Sequence, residues 1–510
     1  MTLSKLQSHA ERLSGESLST LSAGRTDAKS FAAGWMVSTA RQFLDDETEA
    51  GLAELAEEKQ IEQAISDLFS LVKVNPSEGR PATHWALRAP ANTSDEVEAV
   101  RSTLDPALEF AEAVRSGGRF THVLHLGIGG SDFGPRLIYD ALKDTNPTAL
   151  KIEFAANVDP LDLDRALSVL DAKTTLVIGV SKSFSSEETM YNLNRARDWV
   201  KASVGSDWPE HFALVTASPD KAQKWLGRES DQLFDMPLSV GGRFSLWSTA
   251  SLACMIAFGR ETFQSFLDGA HEMDEHVRTS DLKDNLALKL ALVDYWNMTV
   301  RGIHSNIVLA YANALRMLPT YLQQLELESN GKSVGPDGKP APTRTISGLW
   351  GGEGTIGQHS YHQWLHQGSA DIAAEFIIAL HAGAEPDGNR ALVSHALAQA
   401  EVLSNGLSES EITAEEPGLD PVIVNQKVMP GGKPSILLVC KDFSAQRLGS
   451  LIALYEHRTF LAGRLWGINS FDQWGVERGK VQAGKINKAL LEGASVADPV
   501  TTNFIEYLSE

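Results

Sequence analysis

Apolar and polar positions follow two rhythms along this chain. In residues 49–72, charged and apolar side chains recur at helical spacing, within a stretch 1–74 rich in Ala, Leu, Glu, Asp and Lys. That spacing predicts helix. The run Asn75-Pro76-Ser77-Glu78-Gly79-Arg80-Pro81 breaks it. From Thr121 onward, short β-rich runs at 122–127, 151–156, 175–180 and 212–217 alternate with helical stretches. Strands separated by helices predict a parallel, doubly wound sheet. A long helical region is predicted at 262–300, and further strands at 306–310, 376–379, 435–440 and 464–468. The expectation is an α/β chain with a helical segment at 1–95 packing on two lobes, 96–285 and 286–510, the second ending in helices. Residues 332–345, with Pro336, Pro340 and Pro342, predict an irregular loop.

Composition narrows the class. A chain of 510 residues exceeds what one core usually holds, and 43% hydrophobic with 22% charged residues is ordinary for a globular protein. The formal charge of −21 argues against nucleic acid and anionic membranes as partners. An anionic substrate must then be held by local positive charge against the overall field. Cys254 and Cys440 lie in apolar runs, which predicts two buried thiols, not a disulfide framework or a zinc site. No apolar segment follows the N-terminus, so no signal peptide is expected. The longest uncharged run, 244–259, is shorter than the roughly 20 apolar residues of a membrane span. A cytoplasmic enzyme is the expectation.

Candidate chemistry begins with Ser181-Lys182-Ser183-Phe184-Ser185-Ser186, between a predicted strand and a helix start. A helix N-terminus aims unpaired N–H groups at one point, which suits phosphate. One serine suffices for a helix cap; four hydroxyls and a lysine exceed that need. A second turn, Gly127-Ile128-Gly129-Gly130-Ser131-Asp132, also links a strand to a helix. Asp132 stands where a dinucleotide fingerprint needs its third glycine, which leaves only a weak nucleotide reading with Glu153. A tight turn offering backbone N–H groups and the Ser131 hydroxyl to a smaller ligand fits better.

Gly241-Gly242-Arg243 can bring a permanent cation to an inner face, where it would stabilise an oxyanion. Gln323-Gln324-Leu325-Glu326-Leu327-Glu328-Ser329-Asn330-Gly331 looks like a helix stopped at its glycine. Glu328 would face the negative end of that helix dipole, an unusual placement that would suit a general base, although the segment alone reads more simply as a solvated glutamate. His362 and His366 have metal-compatible spacing but lack a third ligand nearby; His359, beside a glycine turn, is the better acid/base candidate. Gln473 and Lys480, seven apart, are expected on one helix face and toward one pocket.

Together these segments resemble the glucose-6-phosphate isomerase family, in that family's order, over residues 75–480. The stretches Gly242-Arg243-Phe244-Ser245 and Phe471-Asp472-Gln473-Trp474-Gly475-Val476-Glu477 match its most specific signatures. The resemblance implies two sugar-isomerase (SIS) lobes, each a mainly parallel sheet flanked by helices, and a homodimer. It implies that Ser181, Lys182, Ser183 and Ser186 bind a sugar phosphate, with Gly130, Ser131, Gly242, Gln324 and Gln473 touching the same ligand. It further implies that Arg243 stabilises an enediolate, Glu328 moves a proton between C2 and C1, and His359 and Lys480 open the sugar ring. His359 would come from the partner subunit, and no cofactor or metal would be needed. The hydroxyls of Ser183, Ser185 and Ser186 stand where that family commonly has threonine. Leu325-Glu326-Leu327 stands where it more often has Gly-Asp-Met. Two other readings are a SIS enzyme for another sugar phosphate and a non-catalytic sugar-phosphate sensor. A sensor would not need Glu328, His359 and Lys480 together.

Overall fold

The computed structural model describes residues 2–381 and 383–509. The N-terminal segment is helical at Thr2–Leu13, Leu18–Ala23, Asp46–Glu58 and Ile61–Phe69. Between these helices lies a hairpin, β1 (Lys29–Ala32) and β2 (Trp35–Ser38), that the sequence did not suggest. Its turn places Ala33 and Gly34 at φ of 45° and 82°. Positive φ at both turn residues matches the right-handed twist of a tight hairpin.

The first sheet is parallel throughout: β3 (His122–Leu126), β4 (Lys151–Ala155), β5 (Thr175–Val180), β6 (Phe212–Thr216) and β7 (Leu233–Asp235). Spatial order is β4-β3-β5-β6-β7. Every residue of β5 is buried, as a central strand covered on both faces requires. The helix Glu187–Val204 packs Leu193, Ala196 and Val200 against Leu124, Val177 and Leu214 of the sheet. The order reverses between β3 and β5. In such sheets ligands bind where strand order reverses, beyond the carboxyl ends of the strands. The loops leaving those two ends are the glycine turn after Leu126 and the serine loop after Val180.

The second sheet contains β8 (Ser305–Tyr311), β9 (Gly348–Glu353), β10 (Ile372–Ala379) and β11 (Ser435–Cys440), all parallel. The N-terminal hairpin extends it, β2 pairing antiparallel to β11, to give the order β1-β2-β11-β10-β8-β9. The strand expected at 464–468 is instead the end of the helix Ala445–Trp466, stopped by Gly467 at φ 71°. Leu465 and Trp466 are apolar because that helix is buried on nearly every side. The region 332–345 is irregular apart from one isolated bridge, Val334 to Pro340.

Two helices form the spine, Leu252–Thr279 and Ala445–Trp466. A Cβ on Gly269 would fall 1.8 Å from the Gln446 carbonyl oxygen, and one on Gly449 1.9 Å from that of Phe266. The helices therefore touch backbone to backbone. Cys254 and Cys440 are free and buried. Among the described residues, no helix is long and apolar enough to cross a membrane.

Residues 471–510 form a second compact unit with its own helices, Glu477–Glu492 and Pro499–Ser509. The first of these opens at Glu477, later than the sequence suggested. Gln473 precedes it in a non-helical conformation (φ −156°, ψ 51°), so Gln473 and Lys480 do not share a helix face.

Candidate active site

The serine loop is anchored by an apolar residue and leaves its hydroxyls available. Phe184 adopts φ 47° and buries its ring in the first core. Ser181 is buried, 3.4 Å from the Ser186 hydroxyl, and the Ser183 and Ser185 hydroxyls lie 2.8 Å apart. Ser186 occupies the N-cap of the helix Glu187–Val204 without a side-chain cap bond. The first N–H groups of that helix are thus not taken by the serine that precedes them.

Lys182 donates to the carbonyls of Leu238 and Val240, at 2.9 and 2.7 Å. Arg80 donates to the same Leu238 carbonyl at 2.8 Å. Burial, reinforced by the Arg80 charge, lowers the Lys182 ammonium to about 8, with Glu78 opposing. Val240 leads directly into Gly241-Gly242-Arg243, so Lys182 ties the serine loop to the arginine turn.

The glycine turn packs on that arginine turn. A Cβ on Gly130 would lie 1.9 Å from the Gly242 carbonyl oxygen, and the Ser245 hydroxyl donates to the Gly130 carbonyl at 3.3 Å. Only glycine permits this approach. Gly130 is spent on Gly242, and Asp132, where the fingerprint needs its third glycine, is ion-paired with Arg136 at 2.8 Å, so the turn is not built around a dinucleotide. A Cβ on Gly129 would stand 3.2 Å from the Gln324 amide nitrogen, which places Gln324 at the same point. The Gln324 amide oxygen is buried without a hydrogen-bond partner. Ser131 offers its carbonyl to His125, 2.7 Å away.

Arg243 is 2% exposed. Its Nε donates to the Ser329 hydroxyl and its Nη2 to the Ser470 carbonyl, both at 2.6 Å. Its Nη1 lies 3.6 Å from Glu328 Oε2, whose side chain keeps 21% exposure. The result is a cation fixed from the protein side facing a carboxylate that solvent and ligands can reach. Glu328 closes a six-residue π-helical segment, Gln323–Glu328, and the helix ends by Gly331, as the sequence implied.

Six of the predicted residues thus converge: Lys182, Gly130, Gly242, Arg243, Gln324 and Glu328. His359 is not among them. It caps the short helix Gly354–Gln358 and is exposed, and its ring makes no hydrogen bond or ion pair among the described residues. Gln473 and Lys480 belong to the unit 471–510, where both are exposed. His362 and His366 both hydrogen-bond the Gln399 side-chain oxygen, at 3.0 and 2.6 Å. Sequence reasoning missed Ser329, Ser470 and Tyr321, whose hydroxyl donates to the Arg243 carbonyl at 3.3 Å. Ser329 had one signal, its place beside Glu328. The Ser470 contact is through its carbonyl, which no side-chain pattern reports.

The phosphoglucose isomerase family model matches residues 39–505. Glucose-6-phosphate isomerase of Caulobacter vibrioides is 40% identical over 511 residues, covering 95% of this chain and 94% of the relative. The enzyme of the same description from Jannaschia sp. is 42% identical over 482 residues, covering 89% of each chain. A crystal structure of a glucose-6-phosphate isomerase from Chlamydia trachomatis superposes with a TM-score of 0.87 at 30% identity, covering 100% of this chain and 98% of that one. Matched along nearly its whole length, with a two-sheet fold in common, the chain belongs to the phosphoglucose isomerase family.

Proposed function

We propose that this chain interconverts glucose 6-phosphate and fructose 6-phosphate, an aldose–ketose isomerisation of glycolysis and gluconeogenesis. The observation that carries the reading is the Arg243–Glu328 pair, 3.6 Å apart, in a chain of this family. Glu328 takes the proton from C2 of the open-chain aldose. Electrons shift through C2–C1 onto O1, giving a cis-enediolate whose charge Arg243 offsets. Glu328 then returns the proton to C1 while a proton passes from O2 to O1. The proton is lent and given back, so the chemistry calls for no redox group and no metal.

Arg243 suits its role because Ser329 and Ser470 hold it in place before charge develops. A preorganised charge of this kind spends nothing on reorganisation during the reaction. Ser181, Ser183 and Ser186, with Lys182 and the first N–H groups of the helix Glu187–Val204, bind the phosphate. Gly130, Ser131, Gly242, Gln324 and Gln473 contact the sugar phosphate. His359 and Lys480 open the ring, His359 reaching the site from the partner subunit of a homodimer.

The test is Glu328→Gln in a coupled assay, with fructose 6-phosphate supplied and glucose 6-phosphate detected. Loss of a general base predicts a fall in turnover of about 10²–10⁴-fold. Retention of more than about a tenth of wild-type turnover overturns the assignment of the base.

A further inference from the structure

Two residues before Glu328, Glu326 points the other way. It is 2% exposed, its Oε1 has no hydrogen-bond partner, and its side chain makes no hydrogen bond or ion pair among the described residues. A lone buried carboxylate is costly when ionised. Its electrostatic neighbours are Arg458, Asp294 and Glu375. Arg458 donates to both Asp294 oxygens, at 2.6 and 2.5 Å, and to both Glu375 oxygens, at 2.9 and 2.6 Å. Glu375 also accepts from Asn306 at 2.9 Å and from Tyr455 at 2.8 Å. One guanidinium thus serves three buried carboxylates. Two of them take four of its five N–H donors, and Glu326 takes none. A proton shared by this cluster resides on the carboxyl with no donor to lose.

We propose that Glu326 is a positioning residue for the reaction: it enters the buried cluster as the neutral acid, and in that form holds the segment Gln323–Glu328 where it presents Glu328 beside Arg243. The proposal rests on the reading of Glu328 as the base. Burial first, then the Asp294 and Glu375 charges, raise Glu326 to about 8 against the opposing Arg458. Other elements packed on the segment bring Tyr321, Arg243 and Glu353. Tyr321 donates to the Arg243 carbonyl, Arg243 reaches Glu328, and Glu353 accepts from Asn313, so none is bonded to Glu326. When Glu326 loses its proton, none of these groups donates to it where it stands, and the segment must move to solvate the charge.

The raised value fixes the sign. Glu326 titrates from 4.5 in the unfolded chain to about 8 in the folded one. Its contribution to stability is therefore full below 4.5 and is lost as pH rises toward 8. Turnover responds later, at and above 8, where the folded protein itself ionises.

The experiment compares wild type with Glu326→Gln, which keeps the shape and cannot ionise. At pH 7 the variant should lose no more than about threefold in kcat, with KM little changed. Its thermal midpoint should decline less than that of wild type between pH 5 and 8, the remaining decline belonging to Glu456, which burial raises to about 7, and its kcat should lack the wild-type fall above 8. A variant with the same alkaline fall in kcat as wild type overturns the proposal. If the variant does not fold, hydrogen exchange on wild type decides. Corrected for intrinsic rates, protection of residues 323–330 should drop at least about tenfold between pH 7 and 9.5, while β8 is unaffected. Equal protection at both values overturns it. Neither stability nor exchange requires Glu328 to be the base, so failure of Glu328→Gln to slow turnover would remove the site reading alone.

Discussion

At the scale of single residues, Lys182 has two tasks that kinetics can separate. Its ammonium is tied to the carbonyls of Leu238 and Val240, yet it sits in the loop expected to hold phosphate. Its value, lowered to about 8 by burial, means that it carries its charge at neutral pH and loses it as pH passes through 8. A phosphate dianion binds the charged form better, so loss of the Lys182 charge should raise KM for fructose 6-phosphate above pH 8, separately from the fall in kcat expected there from Glu326. Lys182→Met should raise KM about tenfold or more, the worth of one charge-assisted hydrogen bond, and should abolish that rise with pH. Steady-state kinetics across pH 6.5–9 checks both. A fall in kcat with KM unchanged would mean that Lys182 instead serves to hold residues 238–240, and through them Arg243, in place.

At the scale of elements, the glycine turn after β3 and the arginine turn meet at one contact, and geometry there is worth rate. Gly130→Ala would place a methyl 1.9 Å from the Gly242 carbonyl oxygen, so backbone must shift at the residue next to Arg243. A misplacement of about 1 Å can cost on the order of 10²-fold in rate. The expected result is that loss in kcat with circular dichroism still native; full activity would show that the contact can give way. How legible these elements were in the sequence follows from what each shows locally. Strands β3, β5, β6 and β11 are short apolar runs bounded by turns, and the sequence marks them to within a residue or two. β9 escaped because Gly348, Gly351 and Gly352 erase its β signature, and β1 and β2 because four residues each are too few for alternation to register. Residues 464–468 misled because a helix buried all round reads like a buried strand over so short a window. In the site, Arg243 was a candidate from its two preceding glycines, whereas Glu328 read alone as a solvated glutamate and gained its expected role from the family resemblance. The supports of Arg243 were not legible: Ser329 lies 86 positions from Arg243 and Ser470 lies 227 away, and only the fold brings them together. The carboxyl of Glu326 looked like local variation, because burial is invisible until the cluster around Arg458 is assembled.

At the scale of the whole molecule, the proposed ring-opening residue His359 is not among the described residues that converge around Arg243 and Glu328. Arg243 and Glu328 stand together, while His359 is exposed at the end of a short helix and its ring has no hydrogen-bond or ion-pair partner among the described residues. A residue held ready on the surface but missing from its own site is what a two-fold dimer can use, since each copy then completes the other. The test is a hybrid made by co-expressing a Glu328→Gln chain and a His359→Asn chain with different tags, purified through both. If His359 acts across the interface, one site of the hybrid holds both lesions and the other holds neither. The hybrid should then recover about half of wild-type turnover although each parent is impaired, a result that two-fold symmetry alone dictates. If His359 serves its own chain, every site in the hybrid carries one lesion and no activity returns. Failure to isolate any doubly tagged species would count against the dimer itself. A His359→Asn parent as active as wild type would remove His359 from the reaction, leaving Arg243 and Glu328 to be judged by their own variants.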